Sequence, residues 1–407
     1  MKDRAQRAIA ACRHISAMTE EPGRITRRFL TAPMHDVQAY LRCRMEALGM
    51  TIHVDAAGNL HGLWNPPDAP RERLLLGSHI DTVPGAGAFD GVLGVVLALE
   101  WVELARELHL PLAIEVIAFS EEEGVRYGAP FLGSRAVAGR FDPAALELVD
   151  EEGVSVEAAI RAFGLDPGKI PQAEMDAEAI GFVEIHIEQG PILEAEQLSI
   201  AAVSAIVGQT RLNLTFGGQA NHAGTTPMHL RHDALAGAAE WIVAVEALAK
   251  RTDGLMATVG RIVVDPNAGN VVAGRAQVSL DLRHARDAVR TRAVEELVAA
   301  AGAIATRRGL TLERADRLDQ PAIPMDERLT DLLTDSIAAA GYPVKTMPSG
   351  AGHDAMVMAA KLPTTMLFLR SPGGISHHPA ETVLVEDVEA CLHAGREFLM
   401  RISLIFR

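Results

Sequence analysis

Hydrophobic and polar positions along the chain fall into three stretches with different rhythms. Residues 2 to 20 and 34 to 49 repeat apolar side chains at helical spacing, and Gly49 is placed to stop the second helix. Strands are expected over Met50 to Val54 and Leu60 to Trp64, on either side of a turn at Gly58. The apolar run from Leu74 to Leu76 then leads into Gly77, Ser78 and His79. A long apolar helix follows Gly91, and a second apolar run, Leu112 to Phe119, ends in Ser120 and three consecutive carboxylates, Glu121, Glu122 and Glu123. Strand, helix and strand in this order make a βαβ unit. Short helices are expected over 143 to 148 and 156 to 163, then a strand from Phe182 to Ile187. Its alternation sets Glu184, His186 and Glu188 on one face and Val183, Ile185 and Ile187 on the other.

From about residue 207 the pattern becomes self-contained. Thr210 to Phe216 alternates as a strand, and Leu230 to Leu248 reads as an Ala-rich helix. Met256 to Val264 and Val271 to Leu282 read as strands, Ala288 to Thr306 as a helix, and Leu310 to Glu313 as a last strand. The order β-α-β-β-α-β is that of a ferredoxin-like module. After about 323 the earlier pattern resumes, with a helix near 329 to 340, the loop PSGAGHDA, a strand at Thr364 to Leu369, the loop RSPGGISHHPAE and a terminal helix near 386 to 402. The expected architecture is therefore α/β. Residues 1–206 and 323–407 build a catalytic domain on a mixed, mostly parallel sheet, and 207–322 form an inserted α+β domain.

Composition narrows the function classes. With 48% hydrophobic and 22% charged residues, 407 residues can bury a large core as a soluble globular protein. A net charge of −15 argues against broad attraction to nucleic acid or to an anionic membrane surface. Cys12, Cys43 and Cys391 are too scattered for a disulfide framework or a thiolate metal site, so a cytoplasmic setting is the default expectation. The opening residues lack a signal-peptide type of apolar region, and the longest apolar run, Val92 to Leu99, is far short of the ~20 residues that cross a bilayer.

The chemistry-bearing residues gather at expected strand ends and loops. In a parallel sheet, neighbouring carboxyl ends open into one crevice, which makes His79, Asp90 and the Glu cluster candidates for a single site. Each has an ordinary alternative: His79 as a satisfied strand-end histidine, Asp90 as the N-cap of the following helix, Asp81 as an Asx-turn. Taken together, His79, Asp90, Glu122 or Glu123, His186 and His377 supply imidazoles and carboxylates for two divalent ions. Nitrogen and oxygen ligation without thiolates suits zinc or manganese, with cobalt or nickel as alternatives. A carboxylate beside a ligating carboxylate is placed to take a proton from activated water.

GSHIDTV with FDG, EEEGVRYGAPFLGS, HIEQGPILE, NHAGTTPM, DLRH, GAGHDA and GISHHPAE, in that order over residues 77 to 381, resemble the hydantoinase/carbamoylase branch of the dinuclear metallo-amidohydrolases. The resemblance implies that His79, Asp90 and His186 hold one ion and Asp90, Glu123 and His377 the other, with Asp90 as the bridge. It implies Glu122 as the general base, aligned on Gly124, Arg126 and Tyr127; a shift by one would make Glu121 the base and Glu122 the ligand. Asp81 would orient His79. Arg283 and Asn270 would clamp a substrate carboxylate, and Gln189, His222 and His353 would bind the ureido group and the developing oxyanion. The implied reaction is hydrolysis of a linear ureido C–N bond in a small carboxylate such as allantoate or an N-carbamoyl-L-amino acid. The implied assembly is a homodimer formed through the inserted domain, which would also act as a lid.

Overall fold

The computed structural model describes residues 1–67, 69–176 and 178–405. It divides into two compact units, Met1–Ser204 with Met325–Arg407, and Ala205–Pro324.

The sheet of the first unit runs, in spatial order, Ile200–Ile206, Thr364–Leu369, Ala179–Ile187, Arg73–His79, Ala113–Phe119, Leu60–Trp64 and Thr51–Val54. Thr364–Leu369, Ala179–Ile187, Arg73–His79 and Ala113–Phe119 are mutually parallel, and the strands flanking these four pair antiparallel. The sheet is mixed, but its parallel part is confined to the centre. That centre is buried on both faces, so its strands read as nearly continuous apolar runs: Ala113–Phe119 is buried at every position. Helix Val92–Glu107 packs across three of these strands and is buried almost all round. Its approach is close because Gly94 lies against the Ile185 carbonyl, where a Cβ would overlap. The fully buried Glu100 of this helix is paired with Arg4, Arg7 and Arg44, which meets the requirement that a buried charge be compensated.

In the second unit, Met256–Thr258, Arg275–His284, Gly208–Gly217 and Thr311–Gln320 lie in that order, all antiparallel. Helices Ala234–Arg251 and Asp287–Arg308 cover the sheet over a core that includes Leu212, Phe216, Trp241, Leu280 and Leu297. Alternation decides this packing, since Arg275–His284 is buried at every second residue.

Several elements differ from the sequence pattern, each for a physical reason. The expected strand Val271 to Leu282 breaks at Ala273 and Gly274, so that Val271–Val272 pairs with Asn221–His222 and Arg275–His284 joins the main sheet. The last strand runs to Gln320; its polar side chains are mostly exposed, and ladder hydrogen bonds to Gly208–Gly217 rather than apolar alternation extend it. Ile200–Ile206 and Thr346–Ser349 are strands that small or polar residues concealed. The helix expected from Leu230 begins after Asp233, whose carboxylate accepts the Ala236 N–H. Among the described residues, no helix is long and apolar enough to cross a membrane.

Candidate metal centre

His79 and His186 end neighbouring parallel strands, and Asp90 precedes the helix packed against both strands. Asp90 does not cap that helix. The N-cap position is Gly91, at φ +64°, and no side chain caps there. Glycine is needed twice over at this residue, for the left-handed backbone and because a Cβ would meet the His79 ring. The Asp90 carboxylate turns to the imidazoles instead. Oδ1 lies 3.2 Å from His186 Nε2 and 3.6 Å from His79 Nε2, while Oδ2 lies 3.1 Å from His377 Nε2. Glu123 Oε1 stands 3.7 Å from the same His377 nitrogen.

The donor set has the chemistry of a cation site. His186 Nδ1 faces the Ile187 carbonyl at 2.9 Å, and His79 Nδ1 faces the Asp81 carbonyl at 3.1 Å and its carboxylate at 3.3 Å. A carbonyl cannot donate, so each Nδ1 carries the proton and each Nε2 is left to face the centre. Those two Nε2 atoms are only 3.4 Å apart. Asp90 Oδ1, Glu123 Oε1 and Gln189 Oε1 are buried and have no hydrogen-bond partner. In the interior, lone pairs left without a donor are costly unless a cation lies among them. Ligand atoms of His79, Asp90 and His186 fall within 4.8 Å of one another, as do those of Asp90, Glu123 and His377, so Asp90 is common to two groups able to hold an ion.

The electrostatics agree. Burial opposes charge on His79, but the neighbouring carboxylates of Asp81, Asp90 and Glu122 outweigh it and hold the imidazole well above its ordinary value. Burial also works against an ionised Asp90, yet His186, His377 and His79 keep it well below the usual carboxylate range. Glu122 is pushed well up, by burial first and then by Glu123 and Asp354, against the pull of His79. Glu123 is pushed up to about 7, by burial and by Asp90. The negative potential that adds to burial at these carboxyls is also the potential that would hold a divalent cation.

The surrounding residues fix the loops. Asp81 accepts the Glu122 N–H at 3.0 Å and the Glu123 N–H at 3.1 Å, so one carboxylate ties His79 to the Glu triplet. It makes no Asx-turn of its own. Glu121 accepts the Gly124 N–H and is not part of the group formed by His79, Glu122 and Glu123. Glu188 is a cap, accepting the N–H groups of Ile192 and Leu193, and Glu184 accepts from Ser78 and from the Ala355 N–H. Gln189 and His377 both adopt left-handed backbone conformations, φ +59° and +55°, which cost a non-glycine residue about 1–2 kcal/mol each. The Gln189 amide donates to Asp90 Oδ2 at 3.0 Å. His353 is buried, bonded to Ser349 at 2.8 Å and edge-on to His186, and burial pushes its pKa well down. The sequence pattern missed Ser376, Glu381 and Asp354. All three lie within the quoted motifs; long-range partners reveal what Ser376 and Glu381 do, while both carboxylate oxygens of Asp354 are buried without a hydrogen-bond partner.

Three other candidates lie in the second unit. His222 is exposed, and its Nδ1 accepts the Gly224 N–H at 3.1 Å, an arrangement that stabilises its own turn. Asn270 is exposed and joins that turn through its carbonyl, which accepts the Ala223 N–H at 2.9 Å. Arg283 is paired with Asp281, Nε to Oδ1 at 2.8 Å.

The α/β fold and the Asp90-centred cluster, which offers ligand atoms to two ions, fit the class of metal-dependent hydrolases. The profile of Peptidase family M20/M25/M40 matches residues 75–401, and the chain belongs to that family. It is 36% identical to the allantoate deiminase of Arabidopsis thaliana over 96% of this chain and 81% of that protein. It is 38% identical to the N-carbamoyl-L-amino acid amidohydrolase of Geobacillus stearothermophilus over 90% of each, and 36% identical to the allantoate amidohydrolase of Escherichia coli (strain K12) over 92% of each. Among solved structures, a hydantoinase/carbamoylase family amidase from Burkholderia multivorans superposes with a TM-score of 0.90 at 30% identity, covering 98% of this chain and 97% of that one.

Proposed function

We propose that the protein hydrolyses the ureido C–N bond of a small carboxylate, allantoate or an N-carbamoyl-L-amino acid. The observation that carries this reading is Asp90, whose two oxygens face separate imidazoles and leave Oδ1 buried without a donor. The relatives named above support the substrate class.

His79, Asp90 and His186 would hold one ion and Asp90, Glu123 and His377 the other, zinc or manganese by the donor set. The ions would supply Lewis acidity, lowering the pKa of water and polarising the carbonyl. Glu122 is the base: ionised, it takes a proton from the attacking water and delivers it to the leaving nitrogen. The choice of Glu122 over Glu121 is supported by the latter's bond to Gly124. Asp81 holds His79 and the backbone of the Glu triplet in place. Arg283 and Asn270 are assigned to the substrate carboxylate, for which a planar guanidinium is matched, and Gln189, His222 and His353 to the ureido group and its oxyanion. Cleavage of one C–N bond releases ammonia and leaves a carbamate that decomposes to carbon dioxide and a second amine. A homodimer formed through the inserted domain, residues 207–322, belongs to the same reading and is checked by sedimentation.

The test is ammonia release from allantoate, N-carbamoyl-L-methionine and β-ureidopropionate beside amine release from N-acetyl-L-methionine. Faster turnover of a ureido substrate supports the proposal. Faster turnover of the acetyl amide would make the protein an aminoacylase.

A further inference from the structure

The loops carrying Asp90 and His377 are almost three hundred residues apart in sequence, and one buried carboxylate joins them. Glu381, 5% exposed, accepts the Phe89 N–H at 2.9 Å and the Asp90 N–H at 3.1 Å through Oε1. Its Oε2 lies 3.1 Å from the Ser376 hydroxyl, which also lies 3.1 Å from Asp90 Oδ2. The fit is tight on the other side too, since a Cβ on Gly87 would occupy the space of the Glu381 side chain. The hydrogen bonds of the Glu381 carboxylate go to the Phe89 and Asp90 N–H groups and to Ser376, not to a candidate ligand side chain. It fixes the backbone from which Asp90 projects, and Ser376, next to His377, is held by the same carboxylate. His377 depends on this support more than the other candidate ligands do. Its side chain is 48% exposed and its backbone is left-handed, whereas the side chains of His79 and His186 are 2% and 1% exposed on regular strands.

We propose that Glu381 is a positioning residue that sets the separation of the Asp90 and His377 loops and so controls affinity at the ion position held by Asp90, Glu123 and His377. The other position, held by His79, Asp90 and His186, keeps its two strand-borne imidazoles when Glu381 is removed. The inference rests on the ligand assignments proposed above. Outer groups that orient ligands are worth about 10- to 100-fold in metal affinity, and here that loss falls on one of two ions.

The full-length protein is stripped of metal and titrated with zinc by calorimetry, with bound zinc counted by mass spectrometry. Wild type should take up two ions. Glu381→Ala should keep one at near wild-type affinity and bind the second about 10- to 100-fold more weakly. Glu381→Gln should restore the second ion, because its amide oxygen can accept both N–H groups while its NH2 donates to Ser376. Ser376→Ala, which removes only the hydroxyl link, should weaken the second ion by less than Glu381→Ala does. Fewer than two ions on wild type would overturn the ligand assignments themselves. Two ions on wild type, with Glu381→Ala and Ser376→Ala binding both as tightly, would overturn the role of Glu381 alone. So would an equal loss of both ions in Glu381→Ala that Glu381→Gln fails to restore.

Discussion

Two histidine–carboxylate clusters sit on the central sheet of the first unit, and they are built from nearly the same residue types. In one, His61 Nδ1 lies 2.9 Å from Glu115 and Nε2 lies 3.2 Å from Asp55. Glu115 is paired in turn with Arg73, and Asp55 accepts the N–H groups of Ala57 and Asn59 and the Asn59 amide. Both nitrogens of that imidazole end on a carboxylate, and among the described residues no buried polar atom of His61, Asp55, Glu115 or Arg73 lacks a partner. In the other, around Asp90, the Nδ1 atoms are satisfied by the chain while the Nε2 atoms, Asp90 Oδ1 and Glu123 Oε1 point at one another. The first cluster is closed by protein and serves stability. The second is left open, with Asp90 Oδ1 and Glu123 Oε1 buried and without a hydrogen-bond partner, an arrangement suited to a cation. Composition does not separate a structural ion-pair network from a ligand site; the direction of the leftover lone pairs does.

Substitutions should therefore have opposite signatures in the two clusters. Glu122→Gln should lower kcat by about 10²- to 10⁴-fold, the range of general acid–base catalysis, while bound metal stays at two ions and the unfolding free energy is nearly unchanged. Undiminished turnover would remove Glu122 from the mechanism. His61→Leu should do the reverse, leaving buried Asp55 without its imidazole partner and Glu115 with Arg73 alone, at a cost of about 3 kcal/mol in urea unfolding while metal content holds. A loss of metal in that variant would erase the distinction. Chelation should lower the stability of wild type and of His61→Leu alike, by about 3 kcal/mol if free metal had stood near a hundred times its dissociation constant. An unfolding curve indifferent to chelator would mean that the open cluster holds no ion.

The smallest effect is the pH dependence of the closed cluster. Burial opposes charge on His61, but Asp55 and Glu115 raise its pKa to about 9, above an unfolded value near 6.5. Its contribution is complete below about pH 6.5 and is lost as pH rises through 9, on the order of 2 kcal/mol shared with its partners. Glu115 runs the other way. His61 and Arg73 overcome burial and lower it to about 2, so its contribution is present above about pH 4.5 and is lost as pH falls through 2. Denaturant midpoints measured across these windows should fall at both ends in wild type and flatten in His61→Leu. An unchanged alkaline limb in the variant would place the titration elsewhere.

The same contrast explains which parts could be read from the sequence. Arg73–His79, Ala113–Phe119 and Thr364–Leu369 were legible because strands buried on both faces need unbroken apolar runs, and Thr364–Leu369 spans the same residues in the structure as in the sequence pattern. His79 stood out because it ends such a run. His61 sits inside a strand and left no comparable sign. Ile200–Ile206 and Thr311–Gln320 were missed, in whole or in part, because ladder hydrogen bonds rather than side-chain patterning define them. The alternative of Asp90 as a helix cap fitted its position equally well, and only the direction of its oxygens decides against it. For Arg283, the ordinary ion pair is what the structure displays, with Asp281 two residues away on the same strand. Glu381 and Asp81 act on backbone N–H groups far along the chain, which no local pattern encodes.

The most direct measurement is anomalous scattering from a crystal of the protein grown with zinc. Two peaks are expected, one among His79 Nε2, His186 Nε2 and Asp90 Oδ1, the other among Asp90 Oδ2, Glu123 and His377, with none beside His61. No peak at Asp90, or a peak at the His61 cluster instead, would contradict the division between an open and a closed site.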